Sequence, residues 1–350
     1  MKMNNEKKSR IAEREPFLDY FRGIIIFLMI QGHLFRALMD KDLKSGFWFR
    51  THEYIHGVVA PGFLFLAGFL FYYTIHNKKS SDLLIKARHL SGIIILGYFL
   101  HLPFFSLQKI IKLWGTGIEY KLLRMDILQT IGFSLLIAIF IWRYLRRIFI
   151  PVIIIIVLFN IASPFIINVP DNILLASFVD NNISQFPLIF WSFYLFLGIL
   201  ASRFLKKFSL SVLILSVVIL LTAHLFPHEL IRIVADSGKL LLLFSIFRLL
   251  PQISSTILTR FLIASRESLF LYMSHLMIIY GSPLNPGLSR FLKESLSIPI
   301  ASLLFVLLIL TLYPAAYYLN KLRSDHFDVY NSLKYGLFTF FLFVFLISRW

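Results

Sequence analysis

The sequence predicts an all-α integral membrane protein, a polytopic helix bundle with about eleven transmembrane helices. Of its 350 residues, 58% are hydrophobic and only 15% are charged, which is too little polar surface to cover a soluble domain. Apolar runs long enough to cross a bilayer also recur along the whole chain. These runs lie at residues 17–36, 54–75, 84–106, 126–142, 149–168, 186–203, 208–226, 229–249, 258–280, 298–319 and 334–348.

The chain begins with a polar, basic segment, residues 1–16, which we expect to be a cytoplasmic tail. No small-residue cleavage site separates it from the first apolar run, so that run is predicted to be a retained helix and not a signal peptide. Residues 17–350 contain no repeat of solenoid length and no Pro/Ser/Gly-rich linker. They are therefore predicted to form a single transmembrane domain.

Basic residues in the loops favour a cytoplasmic N-terminus. With that orientation, roughly 20 Lys and Arg fall inside and roughly 12 outside, in agreement with the positive-inside rule. One loop departs from the rule: residues 108–124 should lie outside, yet they include Lys109, Lys112, Lys121 and Arg124. Either a helix count is wrong there, or the charge of this loop serves a purpose of its own.

The net charge of +17 and the absence of cysteine exclude several classes of function. The basic residues lie mainly in short loops between apolar runs, so they are expected to set orientation and to bind anionic headgroups or a phosphorylated cosubstrate, with no role for nucleic acid. Without cysteine there can be no disulfide, thiolate nucleophile, iron–sulfur cluster or cysteine-type zinc site. Nothing in the pattern specifies an oligomeric state.

The first apolar run carries ionisable residues on one helical stripe. Asp19 and Arg22 stand near its start, and His33 follows eleven residues after Arg22, about 16 Å further along the axis. Charged groups in so apolar a segment are expected to face protein or a water-filled cavity. We predict His33 to be a catalytic base; the alternative is a polar residue bonded to water at a helix end.

A second histidine, His56, is predicted to lie at the same membrane face. It stands at the start of the second run, just before Pro61 and Gly62, and the second helix runs antiparallel to the first. A neutral imidazole there could take a proton from a hydroxyl or amine at neutral pH. Gly62 and Gly68 would let a backbone or ligand approach closely, although helix packing is the more ordinary role of such residues.

One stretch of the sequence has the residue pattern of a zinc-binding motif but not the structural context that the motif requires. Residues 52–56 read His-Glu-Tyr-Ile-His, the H-E-x-x-H pattern of zinc proteases. A catalytic zinc needs a third ligand and a continuous helix, whereas this stretch straddles the start of a membrane span. We therefore predict no metal site.

Three more polar clusters lie at membrane depth, and structural ion pairs are a serious alternative for each. They comprise Arg124, Asp126 and Gln129; Arg232, Asp236 and Lys239; and Arg266, Glu267 and His275. We predict that Asp126, Gln129 and His275 line the acceptor end of a cavity. Asp126 could orient a histidine as the carboxylate of a catalytic triad does.

Several stretches together resemble a known family. Arg14, Leu18-Asp19, Arg22-Gly23, Met29 and His33, followed by His56, Ala60-Pro61 and Leu66-Ala67-Gly68, resemble the N-terminal signature of bacterial relatives of heparan-alpha-glucosaminide N-acetyltransferase. Residues 124–132, 186–198 and 265–281 are similar to three later segments of that family. The resemblance thus runs from about residue 14 to residue 282. The spacing of Arg22 and His33 also resembles that of the acyltransferase-3 membrane enzymes, whose first-helix histidine is taken as catalytic.

The resemblance implies an acetyltransferase of the bacterial cytoplasmic (inner) membrane. Cytoplasmic acetyl-CoA would be a cosubstrate, with no tightly bound cofactor, and a hydroxyl or amine of a sugar or glycan at the outer face would be the acceptor. His33 is the first choice of base and His56 the second. Arg22, Lys86 and Arg88 are predicted to bind the phosphates of the donor, although the positive-inside rule alone could explain them. The predicted substrate-binding residues are Asp19, Arg124, Asp126, Gln129, Arg266 and His275.

Two other functions remain open at this point. A transporter or flippase for an amphiphilic or glycan substrate would also need intramembrane charges and kinked helices. A structural or partner-binding subunit would leave the polar stripe of the first helix without a purpose.

Overall fold

The computed structural model describes residues 16–75, 80–205, 210–249 and 255–348. This part of the chain is almost entirely helical, with one small antiparallel hairpin, β1 (Gly281–Ser282) and β2 (Asn285–Pro286). The helices, in chain order, are α1 (Pro16–Leu38), α2 (Phe47–His56), α3 (Val59–Ile75), α4 (Ser80–Leu100), α5 (Leu107–Lys112), α6 (Glu119–Leu122), α7 (Ile127–Tyr144), α8 (Phe149–Ile166), α9 (Ile173–Ala176), α10 (Leu188–Phe204), α11 (Leu210–Thr222), α12 (His228–Leu249), α13 (Thr256–Ser265), α14 (Ser268–Ile279), α15 (Leu288–Leu292), α16 (Ile298–Asp325) and α17 (Phe327–Ile347).

The all-α polytopic architecture is confirmed. Each of the eleven predicted apolar runs contains a helix, and seven helices of the described chain are long and apolar enough to cross a membrane, or eight if the bent pair α13 and α14 counts as one span. The apolar helices α10 and α11 are shorter, and α12 carries three charged residues at its centre. A count of eleven spans therefore stays a prediction.

Helix α1 lies at the centre of the bundle, packed against α2, α3, α12, α13, α14 and α16. Its apolar side chains Phe21, Ile25, Ile26, Ile30 and Leu34 are fully buried. By contrast, α17 exposes nearly all of its apolar side chains, as expected for a helix that faces lipid. The polar stripe of α1 is therefore surrounded by protein.

Glycines bring α3 into direct backbone contact with α10. A Cβ at Gly68 would lie 1.9 Å from the carbonyl oxygen of Leu195, and a Cβ at Gly198 would lie 2.0 Å from that of Phe65. Gly62 packs in the same way on α1, where a Cβ would lie 2.7 Å from Cδ1 of Ile25. The packing interpretation of Gly62 and Gly68 is confirmed, and these contacts hold α1, α3 and α10 together.

The run predicted as one helix at residues 258–280 is broken. α13 and α14 meet at an angle of 80°, with Arg266 and Glu267 between them. The Glu267 carboxylate accepts hydrogen bonds from Arg323 at 2.6 Å and from Asn320 at 2.7 Å, both on α16. Because these contacts fix Glu267 at the break, Arg266 is turned toward α1.

The charged cluster on α12 is structural. Asp236 is buried and pairs with Lys239 at 2.7 Å and with Arg232 at 3.7 Å, and Tyr194 of α10 donates a hydrogen bond to it at 3.3 Å. Lys239 also donates to the carbonyl of Tyr54 on α2 at 3.2 Å. The ion-pair interpretation of this cluster is thus confirmed.

Candidate functional site

Two arginines share one carboxylate near the start of α1. Asp19 lies 3.1 Å from Arg22 and 2.7 Å from Arg266, the residue at the break between α13 and α14. All three side chains are largely buried. The cluster keeps one net positive charge, and Nε of Arg266 is buried without a hydrogen-bond partner among the described residues. A buried cationic donor of this kind suits an anion.

A cavity of about 310 Å³ begins at Arg22 and Arg266 and extends along α14 to Tyr272. We call it the arginine cavity. Its other walls are apolar side chains of α3, α4, α7 and α14: Phe63, Leu66, Ala67, Leu70, Ile93, Ile127, Leu128, Ile131 and Leu269. A cationic end and an apolar wall together suit a ligand with an anionic group and a long apolar arm.

Asp126 lies where the arginine cavity ends. It is buried immediately before α7, and its backbone N–H donates to Oε1 of Gln129 at 3.2 Å. The hydroxyl of Tyr272, which lines the arginine cavity, donates to Oδ2 of Asp126, and Nε2 of His101 lies 2.9 Å from the same oxygen.

His101 lines a second cavity, of about 570 Å³, which we call the hairpin cavity. It is formed by residues 100–103, the hairpin segment 281–287, Tyr280 and Arg290. Asp126 thus holds one side chain of each cavity: Tyr272 on one side and His101 on the other. A carboxylate accepts hydrogen bonds only, so Nε2 of His101 carries the proton of this contact; in the neutral form of the ring, Nδ1 keeps a lone pair.

His33 and His275 form a stacked pair. Nδ1 of His33 lies 2.7 Å from Nε2 of His275, with ring centroids 5.0 Å apart. His275 is completely buried and its Nδ1 lies 2.7 Å from the carbonyl oxygen of Leu271. Tyr280, which lines the hairpin cavity, places its ring 5.9 Å from that of His33 and donates to the His33 carbonyl at 3.3 Å.

The partners of this pair fix its tautomers. The Leu271 carbonyl can only accept, so Nδ1 of His275 carries a proton, and Nε2 of the neutral ring must be an acceptor. His33 therefore donates from Nδ1, which leaves the lone pair of the neutral ring on Nε2. His33 is half-buried, so it combines a fixed orientation with a basic nitrogen, the two properties that a general base requires.

His56 packs against α1 at Gly32, the residue before His33. A Cβ at Gly32 would lie 2.5 Å from Nδ1 of His56, and that nitrogen has no hydrogen-bond partner among the described residues. Its ring centroid is 3.9 Å from that of His52, while Glu53 pairs with Arg36 at 2.8 Å. No group of three or more potential metal ligands occurs in the described chain.

Other residues predicted for the site lie apart from both cavities. Lys86 stacks on the ring of Phe71 at 4.7 Å, and Arg88 is exposed. Arg124 is exposed and donates to Gln185 at 3.0 Å. Gln129 is fully buried as the partner of the Asp126 backbone. None of the four is among the residues that line the arginine or hairpin cavity. His33, His275 and Asp126 do not line the cavities either, but each contacts a residue that does: Tyr280, Tyr272 or His101.

The sequence did not identify His101 and Tyr272 as the partners of Asp126. The predicted third helix continued to residue 106, whereas α4 ends at Leu100, so His101 begins a loop. The available signal was Pro103 two residues later, because proline disfavours a helical conformation in the residue before it. Tyr272 belongs to the segment 265–281 that resembles the family, but nothing in that resemblance paired it with Asp126, and a tyrosine in an apolar helix is ordinarily a packing residue.

Residues 14–233 match a protein-family model described as heparan-alpha-glucosaminide N-acetyltransferase, catalytic. This match covers well over half of the chain, including His33, His101 and Asp126. Comparison with curated proteins and with solved structures finds no match.

Proposed function

Because the chain belongs to the heparan-alpha-glucosaminide N-acetyltransferase catalytic family, we propose that it transfers an acetyl group from acetyl-CoA to a sugar or glycan across a membrane. Donor and acceptor would enter from opposite sides, the donor from the cytoplasm. The membrane would be the bacterial cytoplasmic membrane. The observation that carries this proposal is the pair of cavities, one with buried arginines and the other lined by Tyr280, which contacts His33. Asp126 bonds one lining residue of each cavity, Tyr272 and His101.

The arginine cavity fits the donor. Coenzyme A carries phosphates, which guanidinium groups bind with charge-assisted hydrogen bonds. Nε of Arg266 is buried and has no hydrogen-bond partner in the described part of the chain. The pantetheine arm would lie along the apolar wall with the thioester near Tyr272. In the predicted orientation, α1 starts in the cytoplasm, so Arg22 and Arg266 lie toward the side on which acetyl-CoA is made.

His33 is the proposed base. Its Nε2 would take the proton of the acceptor hydroxyl or amine as the acceptor atom bonds to the thioester carbonyl carbon. The carbon–sulfur bond then breaks, and coenzyme A leaves as a thiolate that takes up a proton. A two-step route through acetylated His33 would use the same nitrogen. His275 would orient His33, and His101, held by Asp126, would accept a hydrogen bond from the acceptor.

A transporter remains the second candidate because one helix, α13 and α14, is broken beside the arginine cavity. A transporter would move its substrate without consuming acetyl-CoA. An enzyme should both bind the donor and release free coenzyme A.

Arg266→Gln is expected to weaken acetyl-CoA binding about tenfold, because charge-assisted hydrogen bonds to phosphate are lost. Asp19 keeps Arg22 as its partner in this variant, so no buried carboxylate is left unpaired. Calorimetry on the detergent-solubilised protein measures the change in Kd. The matched control is Arg143→Gln, an exposed arginine that lines neither cavity.

Unchanged affinity for acetyl-CoA in a folded Arg266→Gln sample would show that the donor does not bind in the arginine cavity. Absence of acetyl-CoA binding by the folded wild-type protein would contradict the acetyltransferase mechanism and favour transport.

A further inference from the structure

The hairpin cavity has a single charged side chain among its lining residues, the guanidinium of Arg290. No acidic residue lines it. We propose that this cavity is an acceptor subsite that selects a sugar carrying an acidic group, a carboxylate or a phosphate, with Arg290 as its counter-ion. This inference rests on the proposed function, since it names the acceptor of the same transfer reaction.

The size and polar groups of the cavity suit a sugar. Its volume of about 570 Å³ falls within the usual range for small-molecule sites. Two of its polar side chains are already engaged: Ser282 donates to Asn285 at 2.5 Å, and Asn285 donates to the carbonyl of Met277 at 2.8 Å. Arg290 and His101 are the side chains left to recognise charge and hydroxyl groups.

The carboxylate nearest to Arg290 along the sequence is engaged by other cations. Glu294 lies 3.2 Å from Lys44 and 3.7 Å from Lys41, both in the segment that follows α1. No ion pair or hydrogen bond to the Arg290 guanidinium occurs among the described residues. Guanidinium groups bind carboxylates and phosphates in a bidentate geometry, so Arg290 is equipped to hold an acidic substituent.

The charge of the neighbouring loop supports an anionic acceptor. Beyond the cavity-lining residues 100–103, the loop that violates the positive-inside rule carries four cations and one acid, Glu119, a net charge of +3. Lys109 is held 3.9 Å from the ring of Phe104, directly after the lining segment. A positive surface beside a cavity raises the local concentration of anions. Attraction of an anionic acceptor would explain why this loop is basic although it is predicted to lie outside.

The hairpin gives the subsite a fixed shape. Gly281 has φ +87°, and a Cβ at Gly287 would lie 2.2 Å from the Gly281 nitrogen, so neither position accepts a side chain without rearrangement. Gly287 leads directly into α15, which carries Arg290. Tyr280, at the other end of the hairpin, contacts His33. An acidic group at Arg290 would therefore orient the acceptor relative to the base.

The test compares three acceptors that share the 2-amine and the hydroxyls on C1, C3 and C4: glucosamine, glucosamine 6-phosphate and the uronic acid of glucosamine. The wild-type protein in detergent is expected to acetylate the two acidic sugars with a kcat/KM at least about tenfold above that of glucosamine. In Arg290→Gln, the ratio of acidic to neutral acceptor should fall to about one. Lys293→Gln, an exposed cation on the same segment that does not line the cavity, should keep the wild-type ratio.

Each alternative result has a distinct meaning. Equal kcat/KM for all three sugars in the wild type, or an undiminished ratio in Arg290→Gln, would overturn the acidic-acceptor proposal and leave the acetyltransferase intact. Transfer to none of the three would instead contradict the proposed function. A preference for the phosphate alone would assign Arg290 to phosphorylated acceptors, and a preference for the uronic acid alone would assign it to carboxylates.

Discussion

His33→Ala is expected to lower kcat by about 10²–10⁴-fold, the range associated with the loss of a general base. The variant lacks the ring whose Nδ1 is fixed by His275 and whose Nε2 is the proposed base. Binding of acetyl-CoA should change little, because the arginine cavity is lined by Arg22 and Arg266 and not by His33. The measurement is the release of free coenzyme A with a saturating sugar acceptor, alongside calorimetry of the donor.

Two histidine variants serve as comparisons for this result. His89 is exposed on α4 and its Nδ1 lies 2.8 Å from the carbonyl oxygen of Ile85, so His89→Ala should retain wild-type turnover. His101→Ala should mainly raise the KM of the acceptor, because His101 is proposed to position it. Near-normal kcat in His33→Ala combined with loss of turnover in His101→Ala would move the base to His101.

A pair of substitutions at His275 should have opposite outcomes. His275→Phe is expected to lower kcat about tenfold or more, because removing the group that fixes a catalytic imidazole leaves it in the wrong tautomer and orientation. His275→Gln should recover most of that loss, since its side-chain carbonyl can accept the Nδ1–H of His33 as Nε2 of His275 does.

Turnover of both variants is compared at equal amounts of monodisperse protein, because His275 is fully buried and its loss could affect folding. A purely structural role would predict that the two variants lose activity in proportion to their loss of stability. Equal turnover for phenylalanine and glutamine at this position would show that the hydrogen bond to His33 does not matter for catalysis.

The sequence was informative where the relevant residues share one helix. The stripe of Asp19, Arg22 and His33 could be predicted because helical periodicity alone places residues three and eleven apart on one face. The interior position of that stripe followed from the cost of charge in lipid. Similarly, the glycines of α3 could be read as packing residues from their size, and the structure agrees.

Contacts between distant segments could not be predicted in this way. His33 meets His275 across 242 positions, and Tyr272 meets Asp126 across 146, distances at which helical periodicity carries no information. The sequence indicated that Asp126 could orient a histidine, but not that this histidine is His101, because the end of α4 was missed. Lys86 and Arg88 illustrate the same limitation for charged residues. A basic residue near the start of a helix can be recognised from the sequence, but the group that it contacts cannot.

The most direct test of transfer across the membrane uses sealed proteoliposomes with labelled acetyl-CoA enclosed inside and glucosamine supplied outside. Transfer between the two cavities predicts that acetylated sugar accumulates outside while free coenzyme A accumulates inside, and that His33→Ala vesicles form neither. Vesicles given both substrates only on the outside should form little product. If product formed when both substrates were on the outside, but not when the membrane separated them, transfer between the two cavities would be contradicted.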